Sequence, residues 1–223
     1  MKPHWDHAFA SGGAYKQPKL RGFEPLDVLL KLAEKIYGHY CIRSLWQNWL
    51  NNCVLGEDVR LGGNSRLINK NRKEAVTIGS RVICKGILRV EPTGYLSIGD
   101  EVYIGDNTVI SSAENVTIGS GTLIAHGVNV FDNTSHPINW QERRAHFRKI
   151  IGYPDAQPFK IDRAPIVIGE NCWLAMGSTV IKGVTIGDRS IVGAGCVVTK
   201  DVPPDTLVVG ESNKHINLLD LKK

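Results

Sequence analysis

Three histidines, His126, His136 and His146, stand ten residues apart in the middle of the chain. An imidazole titrates near neutral pH, so a histidine can accept a proton from a substrate or bind a metal ion. A zinc site needs three or more ligands that converge on one point. Equal steps of ten, with two of the three histidines in a segment without periodicity, do not fit such a site. The pattern favours proton transfer, or a solvated loop histidine, over metal binding. The remaining histidines lie in the termini and are expected to be solvated; they are His4, His7, His39 and His215.

The segment after Val130, residues 131–167, contains further side chains that can bind a substrate. Trp140 can stack on a sugar ring, and four basic residues nearby can bind an anionic or hydroxyl-rich molecule. The same basic residues can equally do no more than solvate the segment. Long segments without periodicity are usually functional or disordered, and the aromatic and proline content of this one argues against disorder. We therefore expect a functional loop, whose basic residues are Arg143, Arg144, Arg148 and Lys149.

Outside this loop, aliphatic positions recur at steps of six in phased groups of three. A six-residue period fits neither an α-helix nor an up-and-down barrel. It predicts coils of three short strands and three tight turns, stacked on copies of themselves. Extra residues enter only after the third member of a group. The six predicted coils are marked by Leu55, Leu61, Leu67; Ile78, Cys84, Val90; Ile98, Ile104, Ile110; Ile118, Ile124, Val130; Ile168, Leu174, Val180; and Ile186, Val192, Val198.

The two ends of the chain lack the six-residue period. Residues 1–23 are rich in glycine, lysine and histidine and predict a loosely ordered arm. Residues 24–50 show two helical faces separated at Gly38, which is expected to end the first helix. We expect these helices to cap the open end of the coils, and residues 211–223 to form a short closing helix. Alternatively, the two N-terminal helices contact a membrane surface, and the lipid headgroups then face Lys31, Lys35 and Arg43.

The composition restricts the class of partner. A formal net charge of +5 with a pI of about 8.9, without a basic run, is not the pattern of a nucleic-acid-binding protein. The first fifteen residues lack the apolar stretch of a secretory signal, and no apolar run is long enough to span a bilayer. Inward positions in the repeat hold Cys84, Cys172 and Cys196, which suits small buried hydrophobic residues in a reducing compartment. The expected location is therefore the cytoplasm.

Four features together resemble the hexapeptide-repeat acyltransferases. They are the six-residue coils, Ser135-His136-Pro137 in the loop, the return through Ile168-Gly169-Glu-Asn-Cys-Trp173, and the run from Val192 to Pro204. The resemblance covers residues 55–216 and is greatest to the sugar O-acetyltransferases of the maltose and galactoside type and their polysaccharide relatives. It implies an all-β solenoid, a left-handed parallel β-helix over residues 51–210 with helical caps. It also implies a homotrimer whose active sites lie between subunits, with acetyl-CoA as co-substrate and without a required metal.

The same resemblance implies roles for single residues. His136 is the expected general base, with His146 as the nearest alternative. The backbone N–H of Met176 is expected to stabilise the developing oxyanion, although the family usually has Ile-Gly-Ser where this chain has Leu174-Ala175-Met176. The bulkier Met176 would narrow the pocket toward a short acyl group. The acetyl-CoA-binding set implied is Trp173, Ala175, Met176, Ala194, Thr199, Lys200 and Lys214.

The acceptor site is less well defined by the resemblance. The family's acceptor-binding asparagine falls at Gly105, with Asn107 two places on. Asp132 is expected either to orient His136, to bind an acceptor hydroxyl, or only to cap a turn, and the basic loop residues could instead bind the 3′-phosphate of coenzyme A. The acceptor candidates are Tyr103, Asn107, Asp132, Trp140, Arg143 and Arg144.

The implied reaction is acetyl transfer from acetyl-CoA to a sugar hydroxyl of a cell-surface polysaccharide or its precursor. Two alternatives keep the chemistry and change the acceptor: an antibiotic hydroxyl of the streptogramin or chloramphenicol type, or the amine of a nucleotide-linked amino sugar. A zinc carbonic anhydrase of the same fold is disfavoured by the histidine spacing. A non-enzymatic scaffold is disfavoured by the loop and by the donor motif.

Overall fold

The computed structural model describes residues 24–153, 157–210 and 214–217. The chain divides into two units, residues 1–41 and residues 42–223. The predicted N-terminal arm, residues 1–23, lies outside the described residues. The first unit is therefore described only through the beginning of helix α1 (Glu24–Asn52).

The second unit is a parallel β-solenoid of six three-stranded coils followed by one further strand pair. From the second coil to the sixth, each strand pairs in parallel with the strand three places earlier along the chain, which produces three sheets. In chain order the coils contain β1 (Val54–Leu55), β2 (Arg60–Leu61), β3 (Arg66–Asn69); β4 (Val76–Ile78), β5 (Ile83–Cys84), β6 (Ile87–Val90); β7 (Tyr95–Ile98), β8 (Tyr103–Ile104), β9 (Val109–Ser112); β10 (Asn115–Ile118), β11 (Leu123–Ile124), β12 (Asn129–Phe131); β13 (Ile166–Ile168), β14 (Trp173–Leu174), β15 (Thr179–Ile181); and β16 (Thr185–Ile186), β17 (Ile191–Val192), β18 (Val197–Val198). A 3-10 helix (Lys73–Ala75) joins the first coil to the second.

The predicted repeat positions fill the interior of this solenoid. Nearly all are fully buried, and equivalent positions pair across neighbouring coils, as Ile104 pairs with Cys84 and Ile124. The six-residue period thus places one large side chain per face in the middle of each coil, because successive strand residues point to opposite sides. The predicted fold class is confirmed.

One predicted repeat position is wrong in its register, although the residue itself is in the core. Leu88, and not Val90, pairs with Leu67 and Ile110 as the third member of the second coil. Cys84 and Leu88 are therefore four residues apart, where Ile104 and Ile110 are six apart. Both Leu88 and Val90 are fully buried. A shift of two residues leaves the inward face unchanged, so a pattern of alternating side chains cannot detect it.

Gly86 makes this shorter turn possible. A Cβ at Gly86 would lie 2.6 Å from the carbonyl oxygen of Thr108 and 3.0 Å from Cγ2 of Ile104. Backbone at this distance cannot move aside as a flexible side chain would. The short turn therefore requires glycine.

The outward faces of two of the three sheets differ in polarity. On the sheet that contains β1, four of the six paired outward residues carry a hydroxyl group; the row is Val54, Thr77, Ser97, Thr117, Val167 and Thr185. On the sheet that contains β2, the outward residues pair into a continuous apolar row: Ile83, Tyr103, Leu123, Trp173, Ile191 and Leu207. Leu123 and Trp173 are about half exposed, so this row is uncovered apolar surface within a single chain.

The N-terminal helix differs from the prediction of two helices. Helix α1 continues through Gly38, where the sequence predicted a stop. One interior glycine costs a helix only about 1 kcal/mol relative to alanine and keeps its backbone hydrogen bonds. Within the second unit, Trp49 is fully buried in the solenoid core and Leu45 packs beside it, as expected of a cap. For residues 24–41, both alternatives stay predictions: that they cap the open end of the coils, and that they contact a membrane surface.

The C-terminal end also differs from the prediction. Strand β19 (Thr206–Val209) extends the second sheet, as expected of Leu207–Val209, but β20 (Lys214–Asn217) pairs with it antiparallel. The closing helix predicted over residues 211–223 is therefore wrong at residues 214–217. Strand pairing satisfies the backbone groups that an edge strand leaves open. Within the described residues, no helix has both the length and the hydropathy needed to cross a bilayer.

Candidate active site

The loop between β12 and β13 leaves and rejoins the solenoid at one place. Its two ends are hydrogen bonded to each other: Ala164 N–H donates to Asp132 O, and Thr134 N–H to Asp162 O, both at 2.9 Å. Asn133 and Arg163 form an isolated antiparallel bridge beside them. The ends of the loop are therefore fixed to the fourth coil, and the loop residues are positioned relative to that coil.

Asp132 is fully buried and serves this junction. Its carboxylate accepts hydrogen bonds from the N–H groups of Ala113 at 2.7 Å and Glu114 at 2.8 Å, and from Ser112 Oγ and Asn133 Nδ2, both at 3.0 Å. Its oxygens thus hold the turn of the neighbouring coil. These contacts support the alternative that Asp132 caps a turn, and His136 is not among the hydrogen-bond partners of its carboxylate; binding of an acceptor hydroxyl stays a prediction.

Helix α2 (Trp140–Ile150) forms the middle of the loop. The side chain of Asn139 caps it by accepting hydrogen bonds from the N–H groups of Gln141 and Glu142, which compensates backbone donors that have no partner within the helix. Glu142 in the first turn and Arg148 and Lys149 in the last turn also suit the helix dipole. The helix is therefore locally specified, and it orients His146.

His136 stands on a tight turn immediately before this helix. Ser135 adopts a positive φ of 59° and its N–H donates to Asn133 Oδ1 at 2.9 Å, while His136 N–H donates to Thr134 O at 2.6 Å. On the other side, Arg143 Nη1 donates to the carbonyl oxygens of Pro137 at 3.1 Å and Ile138 at 2.8 Å. The turn that presents the His136 imidazole is thus held from both sides.

The structure brings His136 and His146 together. Their Nδ1 atoms lie 3.2 Å apart, and their rings are tilted by 49° with centroids 5.0 Å apart. The His146 ring also packs on Phe159, at a centroid distance of 4.5 Å. Partial burial lowers the pKa of the His146 imidazole, and the nearby His136 and Lys149 lower it further. His136 is exposed, whereas His146 is only partly so.

Both histidines line a groove with a volume of about 830 Å³. The groove lies between the loop and the outward face of the sheet that contains β3. Phe131 and Phe159 supply aromatic surface, and Ser111 and Thr93 supply hydroxyl groups. Basic side chains outnumber the one carboxylate in the lining, that of Glu91: they are Lys70, Arg89, Lys160 and Arg163.

The predicted acceptor residues lie outside the lining of this groove. Trp140 begins α2 and is 59% exposed, and Arg144 is exposed on the same helix. Tyr103 belongs to the apolar row, and Asn107 occupies a coil corner with a positive φ of 59°. Arg143 holds backbone carbonyl groups, so its guanidinium supports the His136 turn. The other four stay predictions.

The predicted donor residues lie in the fifth and sixth coils and just after them, with Lys214 at the start of β20, and none of them lines the groove. Trp173 and Met176 are exposed, at 48% and 63%, whereas Ala175 is buried and its N–H donates to Val192 O at 2.8 Å. The corners after β14 and β17 are stacked, since Gly195 N–H donates to Met176 O at 3.0 Å. Ala194, Thr199 and Lys200 are exposed beyond β17 and β18, and the side chain of Lys214 is not described.

His126, the third histidine of the series, lies at a coil corner beside Asp106, with 3.6 Å between its Nδ1 and the carboxylate. His126 lies outside the groove lining. The even spacing of the three histidines in the sequence does not indicate this difference. Among the described residues, no three histidine, cysteine or acidic side chains cluster as a metal site would require.

Comparison with known proteins gives the family. A family model described as bacterial transferase hexapeptide (six repeats) matches residues 165–200. A putative acetyltransferase of Saccharomyces cerevisiae is 31% identical over 160 residues, covering 69% of this chain and 74% of the relative. The chain belongs to the hexapeptide-repeat acyltransferases.

Other members of the hexapeptide-repeat family match in part. The galactoside O-acetyltransferase of Escherichia coli is 35% identical over 127 residues, covering 54% of this chain, and the chain spans only 56% of that relative. Among solved structures, a hexapeptide-repeat acetyltransferase from Vibrio cholerae complexed with acetyl coenzyme A has a TM-score of 0.51 at 25% identity, covering 79% of this chain and 76% of that one. An N-acyltransferase from Bacillus cereus shares the fold, with a TM-score of 0.58 at 16% identity over 76% of this chain and 88% of that one.

The sequence did not predict the pairing of His136 with His146, or the contribution of Phe159 and of the first two coils to the groove. The groove residues Lys70 and Arg89 are far from the loop in sequence and carry no motif. The sequence indicates His146 only as the nearest alternative base, and its spacing from His136 does not indicate that the two rings are in contact.

Proposed function

We propose that this protein is an acetyl-CoA-dependent O-acetyltransferase that acetylates a sugar hydroxyl, with His136 as the general base. The observation that carries the proposal is the His136 imidazole: it is exposed at a groove large enough for a sugar, on a turn that several hydrogen bonds hold in place. Family membership supplies the donor class, and the Vibrio cholerae relative was solved with acetyl coenzyme A.

The reaction is a direct transfer. The acceptor oxygen attacks the thioester carbonyl carbon while its proton passes to Nε2 of His136. The tetrahedral intermediate carries an oxyanion, for which the backbone N–H of Met176 is the proposed donor. The C–S bond then breaks, the sulfur of coenzyme A takes the proton from His136, and an acetyl ester remains on the sugar. No covalent enzyme intermediate is needed, because the base and both substrates meet in one complex.

The acceptor proposed is a sugar of a cell-surface polysaccharide or its precursor. Phe131 and Phe159 offer apolar ring surface to a sugar face, and the hydroxyl and basic side chains of the groove offer hydrogen-bond donors to its oxygens. The matched galactoside O-acetyltransferase is named for a sugar acceptor. We place this enzyme in the cytoplasm, where acetyl-CoA is available.

The proposed assembly is a homotrimer with sites between subunits. Two observations support it. The predicted donor residues do not line the groove that holds His136 within one chain, so a complete site requires groups from a second one. The apolar row that runs from Ile83 to Leu207 also leaves Leu123 and Trp173 about half exposed, and uncovered apolar surface of this kind usually marks an interface.

The test is release of free thiol from acetyl-CoA across a panel of free sugars, nucleotide-linked amino sugars and antibiotics. Thiol release that requires a sugar, with an alkali-labile ester product, supports the proposal. An alkali-stable amide product would instead assign the enzyme to amine acetylation, and release only with an antibiotic would assign it to xenobiotic inactivation. No release with any acceptor, from protein whose trimer is verified by light scattering, would contradict the function.

A further inference from the structure

The 3.2 Å contact between the Nδ1 atoms of His136 and His146 constrains the protons of both rings. Two ring nitrogens at this distance form a hydrogen bond only if one carries a proton and the other presents a lone pair. A neutral imidazole carries one N–H. The direction of this hydrogen bond therefore decides whether Nε2 of His136 holds a lone pair or a proton.

Only one direction is compatible with His136 as a base. If His136 donates from Nδ1, its Nε2 carries the lone pair that removes a proton from the acceptor hydroxyl. If His146 donates, the proton of His136 is on Nε2 and the base is blocked. After proton uptake His136 is an imidazolium with two N–H groups, and the same Nδ1–H still needs an acceptor.

The surroundings of His146 suit an acceptor that stays neutral. Its ring packs against Phe159 with centroids 4.5 Å apart, and Lys149 Nζ lies 5.4 Å from the centroid of the same phenyl ring. A positive charge on His146 would face Lys149 on its own helix and the imidazolium of His136. Burial lowers the pKa of His146, and the nearby His136 and Lys149 lower it further, so the neutral ring, with one lone pair on a ring nitrogen, is favoured.

Among the described residues, the His136 imidazole is hydrogen bonded to His146 and to no carboxylate. Asp132, the acidic residue nearest to His136 in sequence, is buried and accepts three hydrogen bonds from the turn of the neighbouring coil and one from Asn133. Glu142 on α2 accepts a hydrogen bond from the N–H of Lys160 at 3.2 Å. His136 therefore depends on a neutral partner for its Nδ1–H.

We propose that His146 is a positioning residue, whose Nδ1 accepts a hydrogen bond from Nδ1–H of His136 and so fixes the tautomer that leaves Nε2 free to act as the base. This inference rests on the proposed function, because it assigns His136 the role of base. It adds the residue that sets the protonation pattern of that base and stabilises its imidazolium during the reaction.

Two substitutions separate the hydrogen bond from the packing. H146N keeps an acceptor near the position of Nδ1 and loses the ring, whereas H146F keeps a ring against Phe159 and loses the acceptor. We expect H146F to lower kcat by about 10- to 100-fold, the effect of losing one hydrogen bond to a charged group, with KM for acetyl-CoA unchanged. H146N should keep kcat within a few-fold. The reverse order, with H146F active and H146N inactive, would show a packing role and overturn the proposal.

A second measurement does not depend on turnover. In protein labelled with ¹⁵N-histidine, the ring nitrogen shifts of His136, assigned by their loss in H136A, should show the Nδ1–H tautomer at neutral pH. H146F should shift His136 toward the Nε2–H tautomer, and H146N should not. An Nε2–H tautomer in the unsubstituted protein would overturn the inference. Undiminished turnover in H136A would instead contradict the proposed function.

Discussion

The solenoid coils and the loop between β12 and β13 acquire their structures in different ways. In the coils, one side-chain requirement repeats at every turn: a large aliphatic residue such as Ile104 or Leu174 fills the middle, and its partners are the equivalent residues above and below. In the loop each contact is made once, as when Asp132 holds Ala113 and Arg143 holds Pro137. The repeated contacts stabilise the coils, whereas the single contacts of the loop position one side chain, the His136 imidazole, at the groove.

The sharpest test of the loop is His136→Ala. Loss of the general base should lower kcat by about 10²- to 10⁴-fold while KM for acetyl-CoA changes little. Steady-state thiol release measures both values. His126→Ala is the matched control, since His126 is an exposed corner histidine outside the groove, and its activity should be retained. Turnover of His136→Ala within a few-fold of the unsubstituted enzyme would move the role of base to His146.

A corresponding test of the coils is Leu174→Ala. Leu174 is fully buried in the fifth coil, so truncation should reduce the free energy of unfolding by about 2–5 kcal/mol through lost burial and a cavity. Denaturant unfolding measures the change. Val167→Ala, at a 39% exposed position of the same coil, is the control and should cost much less. Equal effects at both positions would mean that the stacked core does not dominate stability.

Asp132→Ala tests the junction of the two regions. It leaves four donors without their acceptor, so we expect a loss of about 1–3 kcal/mol of stability together with reduced kcat, because the loop loses its anchor. Thermal unfolding and thiol release on the same sample measure both effects. The exposed Asp100, which accepts a hydrogen bond from Ser80 N–H at 2.7 Å, provides the comparison, and Asp100→Ala should be milder and leave kcat unchanged. Unchanged stability in Asp132→Ala would contradict the anchor.

Arg143→Ala and Arg144→Ala separate support from acceptor binding. Because Arg143 donates to the carbonyl groups of Pro137 and Ile138, its loss should lower kcat by about 10-fold through a looser His136 turn. The sequence predicts that Arg144 binds the acceptor, so its loss should raise the KM for the acceptor and leave kcat and the KM for acetyl-CoA unchanged. Separate KM values for acceptor and acetyl-CoA distinguish these effects. A rise in the acetyl-CoA KM for either variant would assign these residues to the donor.

Cysteine labelling gives the smallest effect. Burial raises the pKa of the Cys53 and Cys84 thiols to about 12 each and also raises that of Cys172, and Cys196 is buried too, whereas Cys41 is exposed. At pH 8 the folded protein should therefore take up one equivalent of a thiol reagent, at Cys41, and the unfolded protein five. Mass spectrometry counts the labels. Rapid labelling of Cys84 in folded protein would contradict a closed solenoid interior.

The sequence predicted the coils in detail because their contacts repeat at a fixed spacing. The single error there, Val90 in place of Leu88, is a two-residue shift that alternation cannot detect. At the ends, a glycine failed to stop α1 and an antiparallel strand replaced a helix, because local propensity was outweighed by continuous helical hydrogen bonds and by an open sheet edge.

The site was predicted less completely. The motif identified His136, but its contact with His146 joins two different elements, a turn and a helix, and no spacing rule reports such a contact. The sequence predicts acceptor binding for Arg143 and, as one of three alternatives, for Asp132, because it shows the charge of these side chains and not their hydrogen-bond partners. Side chains that look available in a sequence are often already engaged by nearby backbone groups.

The shortened turn at Gly86 has a consequence for how such chains can diverge. The turn before Leu88 is two residues shorter than its equivalents, and Leu88 still pairs with Leu67 and Ile110, so a coil corner can change its length while the strands on either side keep their register. The corner between Leu67 and Ile78 contains an odd number of extra residues, and both side chains are still buried in the core, because the 3-10 helix Lys73–Ala75 resets the direction of the chain there. A gene lineage built on this fold can therefore lengthen or shorten individual corners, and even accept a long catalytic insertion at one of them, while the remaining coils need no compensating substitutions.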